Sequence, residues 1–67
     1  MMRLTVNGKE IDLAREMTIV ELLHEKGLQA KLVAVEHNLS WLRREDWSTV
    51  TLRDGDRLEI VHIMAGG

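Results

Sequence analysis

The sequence predicts an α+β fold in which a mixed sheet of four to five strands carries one main helix packed on one face. Three observations indicate this fold: an alternating apolar and polar pattern at the start, one short amphipathic helical segment, and further strand-like segments after it. Strands in this order pair into one sheet, and a lone helix covers only one of its faces. The 67 residues have room for one domain, so we expect a single unit over residues 1–67 with a flexible tail at 64–67.

The beginning of the chain predicts a β-hairpin. Apolar and polar residues alternate up to Val6 and again from Glu10 to Leu13, which is the period of a half-buried strand. Between the two segments lies Asn7-Gly8, and these residue types accept the positive φ angles of a type I′ turn. A tight two-residue hairpin is therefore expected.

The next segment predicts one helix. Thr18 and Glu21 have the spacing of a capping box, in which each side chain accepts a hydrogen bond from a backbone N–H of the first turn. Gly27 suits the position just after the last turn. Three apolar residues follow the cap at helical spacing, namely Ile19, Leu22 and Leu23. A helix this short is marginal alone, so its apolar side must pack on the sheet.

The second half of the chain predicts shorter elements. Residues 31–36 contain a run that is apolar on both faces, which is typical of a buried strand. Residues 38–47 predict a loop with one helical turn. We further expect a short strand at 50–52, a tight turn at 54–56 and a last strand at 58–63.

The predicted loop contains the two tryptophans of the chain. Trp47 is expected to pack under the loop as a satellite of the core, whereas Trp41 is expected to be partly exposed. Exposed aromatic side chains on a basic surface would favour nucleic acid binding. Because the net charge is −2, we expect no nucleic acid partner.

The composition argues against several classes of function. The chain has no cysteine, so thiolate metal sites and cysteine nucleophiles are excluded. No apolar run approaches the roughly 18 residues of a membrane span, and we expect a cytoplasmic protein. A chain of this length cannot enclose a substrate pocket of several hundred Å³ and still keep a core, so a self-sufficient enzyme is not expected.

Side chains with catalytic or metal-binding potential are few and scattered. His24, His37 and His62 match no metal-ligand spacing, and we interpret them as structural. Ser40 and Ser48 lie in no nucleophile motif. We therefore expect neither a metal site nor a side-chain active site.

The last strand offers a weak candidate docking surface. If Leu58 and Ile60 face the helix, then Val61 and Ile63 lie on the opposite face of the sheet. A sheet with one helix has no second layer to cover them. Exposed apolar strips of this kind often mark interfaces.

The end of the sequence is the stronger candidate site. The residues after Ile63 are Met64, Ala65, Gly66 and Gly67. Glycine lacks a Cβ, so a Gly-Gly end can pass through a narrow channel and deliver its α-carboxylate to another protein's active site. Four residues reach about 13 Å when extended. An ionised carboxylate is a poor electrophile, so it must first be activated, for instance as an acyl-adenylate.

A set of short motifs runs through the whole chain in a fixed order. They are Thr18-Ile19, Glu21-Leu22-Leu23, Val33-Ala34-Val35-Glu36, Asn38, Arg44, Trp47, Asp54-Gly55-Asp56, Leu58-Glu59-Ile60 and Ala65-Gly66-Gly67. Together they resemble the ThiS family, the small ubiquitin-like sulfur carriers of thiamine (thiazole) biosynthesis. The resemblance covers essentially all 67 residues.

The resemblance implies a β-grasp fold with the first and last strands parallel at the centre of the sheet. It implies that a ThiF-like adenylyltransferase uses ATP and Mg²⁺ to adenylate the Gly67 carboxylate. A persulfide sulfur from a cysteine desulfurase or a sulfurtransferase then gives a thiocarboxylate, which thiazole synthase uses. The protein itself binds no cofactor in this scheme and is acted on by its partner enzymes.

Three sites in the chain depart from the family pattern. Family members often have Pro-Arg where this chain has Arg43-Arg44, a glycine where it has Leu39, and an apolar residue where it has His37.

Two other functions stay open for the chain. The first alternative is a sulfur carrier of another pathway, such as molybdopterin synthesis, although those carriers tend to be longer. The second is a noncatalytic ubiquitin-like binding module.

Overall fold

The computed structural model describes residues 2–63 of the chain. It contains five strands: β1 (Met2–Val6), β2 (Lys9–Leu13), β3 (Val33–His37), β4 (Ser40–Trp41) and β5 (Arg57–His62). One helix, α1 (Ile19–Glu25), and two 3₁₀ turns, Ala30–Leu32 and Arg44–Asp46, complete the elements of these residues. The strands form a single sheet in the order β2-β1-β5-β3-β4.

The pairing of the strands confirms the predicted β-grasp fold. β1 and β5 are parallel neighbours at the centre of the sheet, and the other pairs, β1–β2, β3–β5 and β3–β4, are antiparallel. α1 covers one face of this mixed sheet. The opposite face, here called the open face, has no layer over it within residues 2–63.

The first hairpin forms as predicted. Asn7 has φ 51° and Gly8 has φ 82°, which are the left-handed conformations that a type I′ turn requires. The turn sets the register, so that Val6 pairs with Lys9 and Met2 with Leu13.

The helix begins and ends where the sequence indicates. The Thr18 hydroxyl accepts a hydrogen bond from the Glu21 N–H at 3.2 Å, and the Glu21 carboxylate accepts one from the Thr18 N–H at 2.8 Å. Gly27 follows the last turn with φ 73°, the conformation typical of a helix C-terminus. The three apolar residues of the helix, Ile19, Leu22 and Leu23, are all buried.

The core lies between α1 and the covered face of the sheet. Its buried apolar residues are Leu4, Val6, Leu13, Met17, Ile19, Leu22, Leu23, Val33, Val35, Trp47, Leu52, Leu58 and Ile60. Trp47 is only 2% exposed and is one of the largest members. The prediction that Trp47 packs under the loop is therefore confirmed, but the ring lies within the core itself and not in a satellite of it.

The short strand predicted at 50–52 is absent. Thr51 makes only an isolated bridge with Thr18. The neighbouring backbone groups bond to the segment before and at the start of α1: the Leu52 N–H donates to the Met17 carbonyl at 2.9 Å, and the Ile19 N–H donates to the Val50 carbonyl at 3.3 Å. That segment is not part of the sheet, so 50–52 has no strand to extend.

The fifth strand of the sheet is instead β4, which lies at the edge beside β3. The loop expected at 38–47 does contain the predicted helical turn, but it opens with a hairpin between β3 and β4. Asn38 and Leu39 form the turn with φ 49° and 73°, and His37 pairs with Ser40 across it.

The segment at 31–36, expected to form a strand buried on both faces, is buried on one face only. In β3, Val33 and Val35 point into the core, whereas Ala34 and Glu36 are half-buried on the open face. β3 also begins at Val33 and not at Lys31, because residues 30–32 form a 3₁₀ turn.

Within residues 2–63 the longest helix has seven residues. No helix in this part of the chain is long and apolar enough to cross a membrane.

Candidate functional site

β5 presents the two predicted docking residues on the open face. Leu58 and Ile60 are buried against the helix side, as the alternation predicts. Val61 is 48% exposed and Ile63 is 46% exposed. The structure thus places both side chains where a partner could contact them, and their docking role stays a prediction.

The tail residues of the candidate site, Met64, Ala65, Gly66 and Gly67, lie outside the described residues. The structure does define the point from which they leave. The Ile63 N–H donates a hydrogen bond of 2.8 Å to the Leu32 carbonyl, which continues the β3–β5 ladder by one residue. The base of the tail is therefore fixed to the sheet.

A groove of about 300 Å³ lies beside the base of the tail. Its lining residues are mostly apolar: Val33, Ala34, Trp41, Leu42, Arg44, Trp47 and Ile63. Ala34 is small and is flanked on the open face by the larger side chains of Trp41 and Ile63. The sequence reasoning identified the two tryptophans and Ile63 separately but did not find this groove, because residues from four segments meet only in the folded chain.

Trp41 forms an exposed wall of the groove. Its side chain is 61% exposed, which confirms that this tryptophan lies at the surface. It pairs with Glu36 of β3, so it lies on the open face. Large exposed aromatic side chains are common anchors in protein interfaces.

Arg44 lines the groove and is held in place by several contacts. Its guanidinium donates to the carbonyls of Ala30, Lys31 and Val33 at 3.3, 3.3 and 3.1 Å. It also lies over the Trp47 ring, 5.7 Å from the centroid, a distance suited to a cation–π contact. These contacts fix the direction of the Arg44 side chain.

Two acidic side chains border the apolar part of the open face. Glu36 and Glu59 are directly opposite each other on β3 and β5, and Ala34 and Val61 are the next such pair on this face. Among residues 2–63, no basic group lies within 4.0 Å of either carboxylate. Like charges in directly opposed positions of a sheet repel each other.

A partly buried polar cluster around the Asp56 carboxylate lies at the other end of β3. The Asp56 carboxylate accepts hydrogen bonds from His37 Nε2 at 2.9 Å, from Asn38 Nδ2 at 3.1 Å and from the Arg53 N–H at 2.8 Å. Burial raises the pKa of Asp56, but these hydrogen bonds lower it more, so its pKa lies below the ordinary value. The cluster ties the β3–β4 turn to the turn before β5, and we interpret it as structural.

The remaining histidines lie apart from this cluster. His24 is in the last turn of α1, and His62 is the last residue of β5. Within residues 2–63, no three His, Cys, Asp or Glu side chains are placed to hold a metal ion.

Comparison with known proteins connects this geometry to a family. The model of the ThiS family matches residues 2–67. The sulfur carrier protein ThiS of Bacillus subtilis (strain 168) is 38% identical over 65 residues, which cover 96% of this chain and 98% of that protein. The crystal structure of the thiamine biosynthesis protein (ThiS) from Geobacter metallireducens matches with a TM-score of 0.85 and 40% identity, and covers 98% of this chain and 100% of that one.

Two thiazole synthases also contain a segment similar to this chain. The enzyme of Paramagnetospirillum magneticum is 41% identical over 66 residues, and that of Magnetococcus marinus is 32% identical over 66 residues. Each match covers 98% of this chain but 20% of the enzyme. The chain therefore spans about a fifth of the length of these two relatives.

Proposed function

Because the chain belongs to the ThiS family, we propose that it is a sulfur carrier of thiamine biosynthesis whose reacting group is the Gly67 carboxylate. The observation that carries the proposal is the match to Bacillus ThiS, which extends over 96% of this chain and 98% of that protein. The β-grasp fold supports it, since a strand at the centre of the sheet leads directly into the tail. The protein acts as a cosubstrate of other enzymes and not as an enzyme itself.

The first chemical step is activation of the carboxylate by a ThiF-like adenylyltransferase. A Gly67 carboxylate oxygen attacks the α-phosphorus of ATP, and pyrophosphate leaves with Mg²⁺. The product is an acyl-adenylate, in which AMP is a good leaving group. ATP and Mg²⁺ belong to the partner enzyme in this proposal.

The second step brings in sulfur. The terminal sulfur of a persulfide, on a cysteine desulfurase or a sulfurtransferase, attacks the Gly67 carbonyl carbon and AMP leaves. A thiol then cleaves the resulting acyl disulfide, so that the donor cysteine leaves in a disulfide and the thiocarboxylate remains on Gly67. The chain has no cysteine, so its own side chains offer no thiol to compete with the terminus for sulfur.

The third step is delivery of sulfur to thiazole synthase. The tail must enter the active site of that enzyme, and Gly66 and Gly67 suit a narrow entrance because they lack side chains. The thiazole synthases that match this chain support this partner, since each contains a similar segment.

Intact-mass spectrometry tests the proposal. The protein is incubated with the adenylyltransferase and sulfur donor of its own source organism, ATP and Mg²⁺, and its mass should rise by the difference between sulfur and oxygen. A variant that lacks Gly66 and Gly67 is the control and should show no gain. An unchanged mass of the 67-residue chain, with partners that are active on a known carrier, would contradict the proposal.

A further inference from the structure

Asn7, in the turn of the first hairpin, is tied to the central strand β5 by three hydrogen bonds. Its backbone N–H donates to the Leu58 carbonyl at 2.9 Å. Its side-chain Oδ1 accepts from the Ile60 N–H at 2.7 Å, and its Nδ2 donates to the Ile60 carbonyl at 3.2 Å. The side-chain amide therefore keeps one direction, towards β5, as long as β1 and β5 stay together.

The residue that follows Asn7 makes this amide open to a reaction with its own backbone. The backbone nitrogen after an asparagine can attack the side-chain carbonyl carbon, and glycine permits the attack best because it has no Cβ beside that nitrogen. The Gly8 nitrogen gives its proton to a base and forms the new C–N bond, while the side-chain nitrogen takes up a proton and leaves as ammonia. Water then opens the resulting succinimide ring to aspartate or isoaspartate.

Solvent access does not protect this site. Asn7 and Gly8 are both exposed, and no other part of residues 2–63 comes within 4 Å of the position that a Gly8 Cβ would take. Base and water therefore reach the turn freely. Protection must come from the conformation of the turn and from the position of the side chain.

Ring closure requires the Asn7 side chain and the Gly8 peptide to turn towards each other. The turn holds the peptide with φ angles of 51° at Asn7 and 82° at Gly8, and Ile60 holds both polar atoms of the side chain. The two hydrogen bonds to Ile60 must break before the side chain can move. The folded state thus suppresses the reaction at an exposed site.

The products would hold β5 less well than asparagine does. Aspartate keeps an acceptor for the Ile60 N–H, but it has no donor for the Ile60 carbonyl and leaves that group unpaired. Isoaspartate adds a methylene to the main chain within a two-residue turn whose geometry fits the twist of its strands. A chain modified at Asn7 therefore opens more readily than an intact one.

From these observations we propose that Asn7 is a site of spontaneous hydrolytic deamidation that its hydrogen bonds to Ile60 suppress. The modification accumulates in chains in which Asn7 has been released from β5, and it marks those chains irreversibly. Water is the co-reactant and ammonia is the product. The reaction needs no partner enzyme and is independent of the sulfur carried at the tail.

The sequence supplies its own comparison sites. Asn38 is the other asparagine of the chain, and it precedes Leu39, whose side chain hinders attack by the backbone nitrogen. Asp54-Gly55 can close the same ring, but it loses and regains water and so keeps its mass. A mass change that matches the replacement of an amino group by a hydroxyl group therefore reports asparagine alone.

Peptide mass spectrometry on the 67-residue chain tests the proposal. The chain is incubated at mildly alkaline pH, both in native buffer and in urea that unfolds it, and is then digested with trypsin. Asn7 should deamidate at least about 100-fold more slowly in native buffer, because the folded chain reacts only through its opened fraction. Asn38 should react far more slowly than Asn7 in urea.

Hydrogen exchange of the Ile60 N–H, followed by NMR, measures the same opening independently. This N–H donates to Asn7 Oδ1, so it exchanges when Asn7 is released. The ratio of its exchange rates in the unfolded and folded chain should agree with the ratio of the deamidation rates within about fivefold.

A pair of variants changes the opening without altering Asn7 or Gly8. Ile60→Val weakens the packing of β5, and it should raise both rates about 2- to 10-fold in native buffer. Val20→Ile changes one methylene at an exposed position of α1, and as the matched control it should leave both rates unchanged.

Three results would overturn the proposal. The first is deamidation of Asn7 as fast in native buffer as in urea. The second is a rate in urea no higher than that of Asn38. The third is a deamidation ratio that differs from the exchange ratio of Ile60 by more than about fivefold. None of these measurements uses the sulfur-transfer partners, so their outcome leaves the test of the proposed function unaffected.

Discussion

The side-chain amide of Asn7 makes two hydrogen bonds to the backbone of Ile60, one through its oxygen and one through its nitrogen. Asn7 Oδ1 accepts from the Ile60 N–H at 2.7 Å, and Asn7 Nδ2 donates to the Ile60 carbonyl at 3.2 Å. β1 ends at Val6, so this amide acts in place of the next peptide group of the strand. One residue therefore forms the hairpin turn and also extends the central parallel pair of strands.

Asn7→Gly is expected to lower the free energy of unfolding by about 1–3 kcal/mol, because both polar groups of Ile60 lose their partner. Glycine keeps the positive φ of the turn, so this variant isolates the hydrogen bonds. Asn7→Asp retains the acceptor, so its free energy of unfolding should lie between those of Asn7→Gly and the wild type. Urea unfolding measures the difference, and a midpoint for Asn7→Gly equal to that of the wild type would show that the amide contributes nothing.

The β3–β4 turn offers a stabilising substitution. Leu39 has φ 73° and is 77% exposed, so its side chain adds strain without burial. Leu39→Gly should raise the stability by about 0.5–1 kcal/mol, since relief of about 1–2 kcal/mol of strain exceeds the extra chain entropy that glycine loses.

Thermal unfolding checks this prediction, with an expected rise of about 2–8 °C in Tm for a chain of this size. Leu39→Ala is the matched control: it removes the same exposed side chain but keeps the strained φ, and it should not stabilise the protein. A Tm gain for alanine as large as that for glycine would refute the strain argument.

The Asp56 cluster makes the stability depend on pH in the acid range. The folded-state pKa of Asp56 is lowered from its ordinary value of 3.8, because hydrogen bonds from His37, Asn38 and Arg53 favour the charged form over the opposing effect of burial. The folded chain thus binds this proton more weakly than the unfolded chain. The stabilisation is complete above pH 3.8 and is lost as the pH falls towards the lowered folded-state pKa.

Asp56→Asn should be less stable at neutral pH by about 1–3 kcal/mol and should lose less stability on acidification. Denaturant unfolding at a series of pH values measures this slope. Some acid dependence should remain, since the hydrogen bond from Arg3 also lowers the pKa of Asp12. Asp46→Asn is the control, because it makes the same charge change outside the cluster. If stability depends on pH with the same slope in Asp56→Asn and in the wild type, the cluster is not the source of the acid dependence.

Arg44 and its neighbour Arg43 should respond differently to substitution. Arg44→Lys replaces a planar donor that serves three carbonyls and stacks on Trp47, and should cost about 1–2 kcal/mol of stability. Arg43→Lys affects only an exposed ion pair with Glu45 and should be close to neutral. Urea unfolding followed by tryptophan fluorescence compares the two; equal effects would show that the contacts of Arg44 do not contribute.

Gly66→Val tests the role proposed for the tail. The added side chain should obstruct entry into the partner's active site and abolish the mass gain. We expect no change in Tm, because the buried core seen in the structure is formed by residues between Leu4 and Ile60. Ala65→Gly adds no bulk and should still accept sulfur. A large fall in Tm for Gly66→Val would instead indicate that the tail contributes to the fold.

The local elements could be predicted because their causes lie in neighbouring residues. The turn at Asn7-Gly8 depends on which residues accept positive φ, and the start of α1 depends on the Thr18–Glu21 capping box. The sequence also provided the candidate tail, because a Gly-Gly end after an apolar strand is visible without coordinates.

The errors arose where the outcome depends on distant parts of the chain. Residues 50–52 have a strand-like composition, but a strand forms only beside another strand, and the chain places this segment beside the start of the helix. The sequence predicts that Trp47 packs under the loop beside the core, and only the packed structure shows that its ring is part of the core itself.

The sequence alone therefore determined the hairpin, the helix boundaries and the family resemblance, since each depends on residue types at short spacing, whereas the role of the tail stays a prediction. The tertiary structure alone decided that Trp41 and Ile63 flank Ala34 in one groove. These residues come from three different strand regions, and they meet because the register of β3 with β4 and β5 places them on the same face of the sheet.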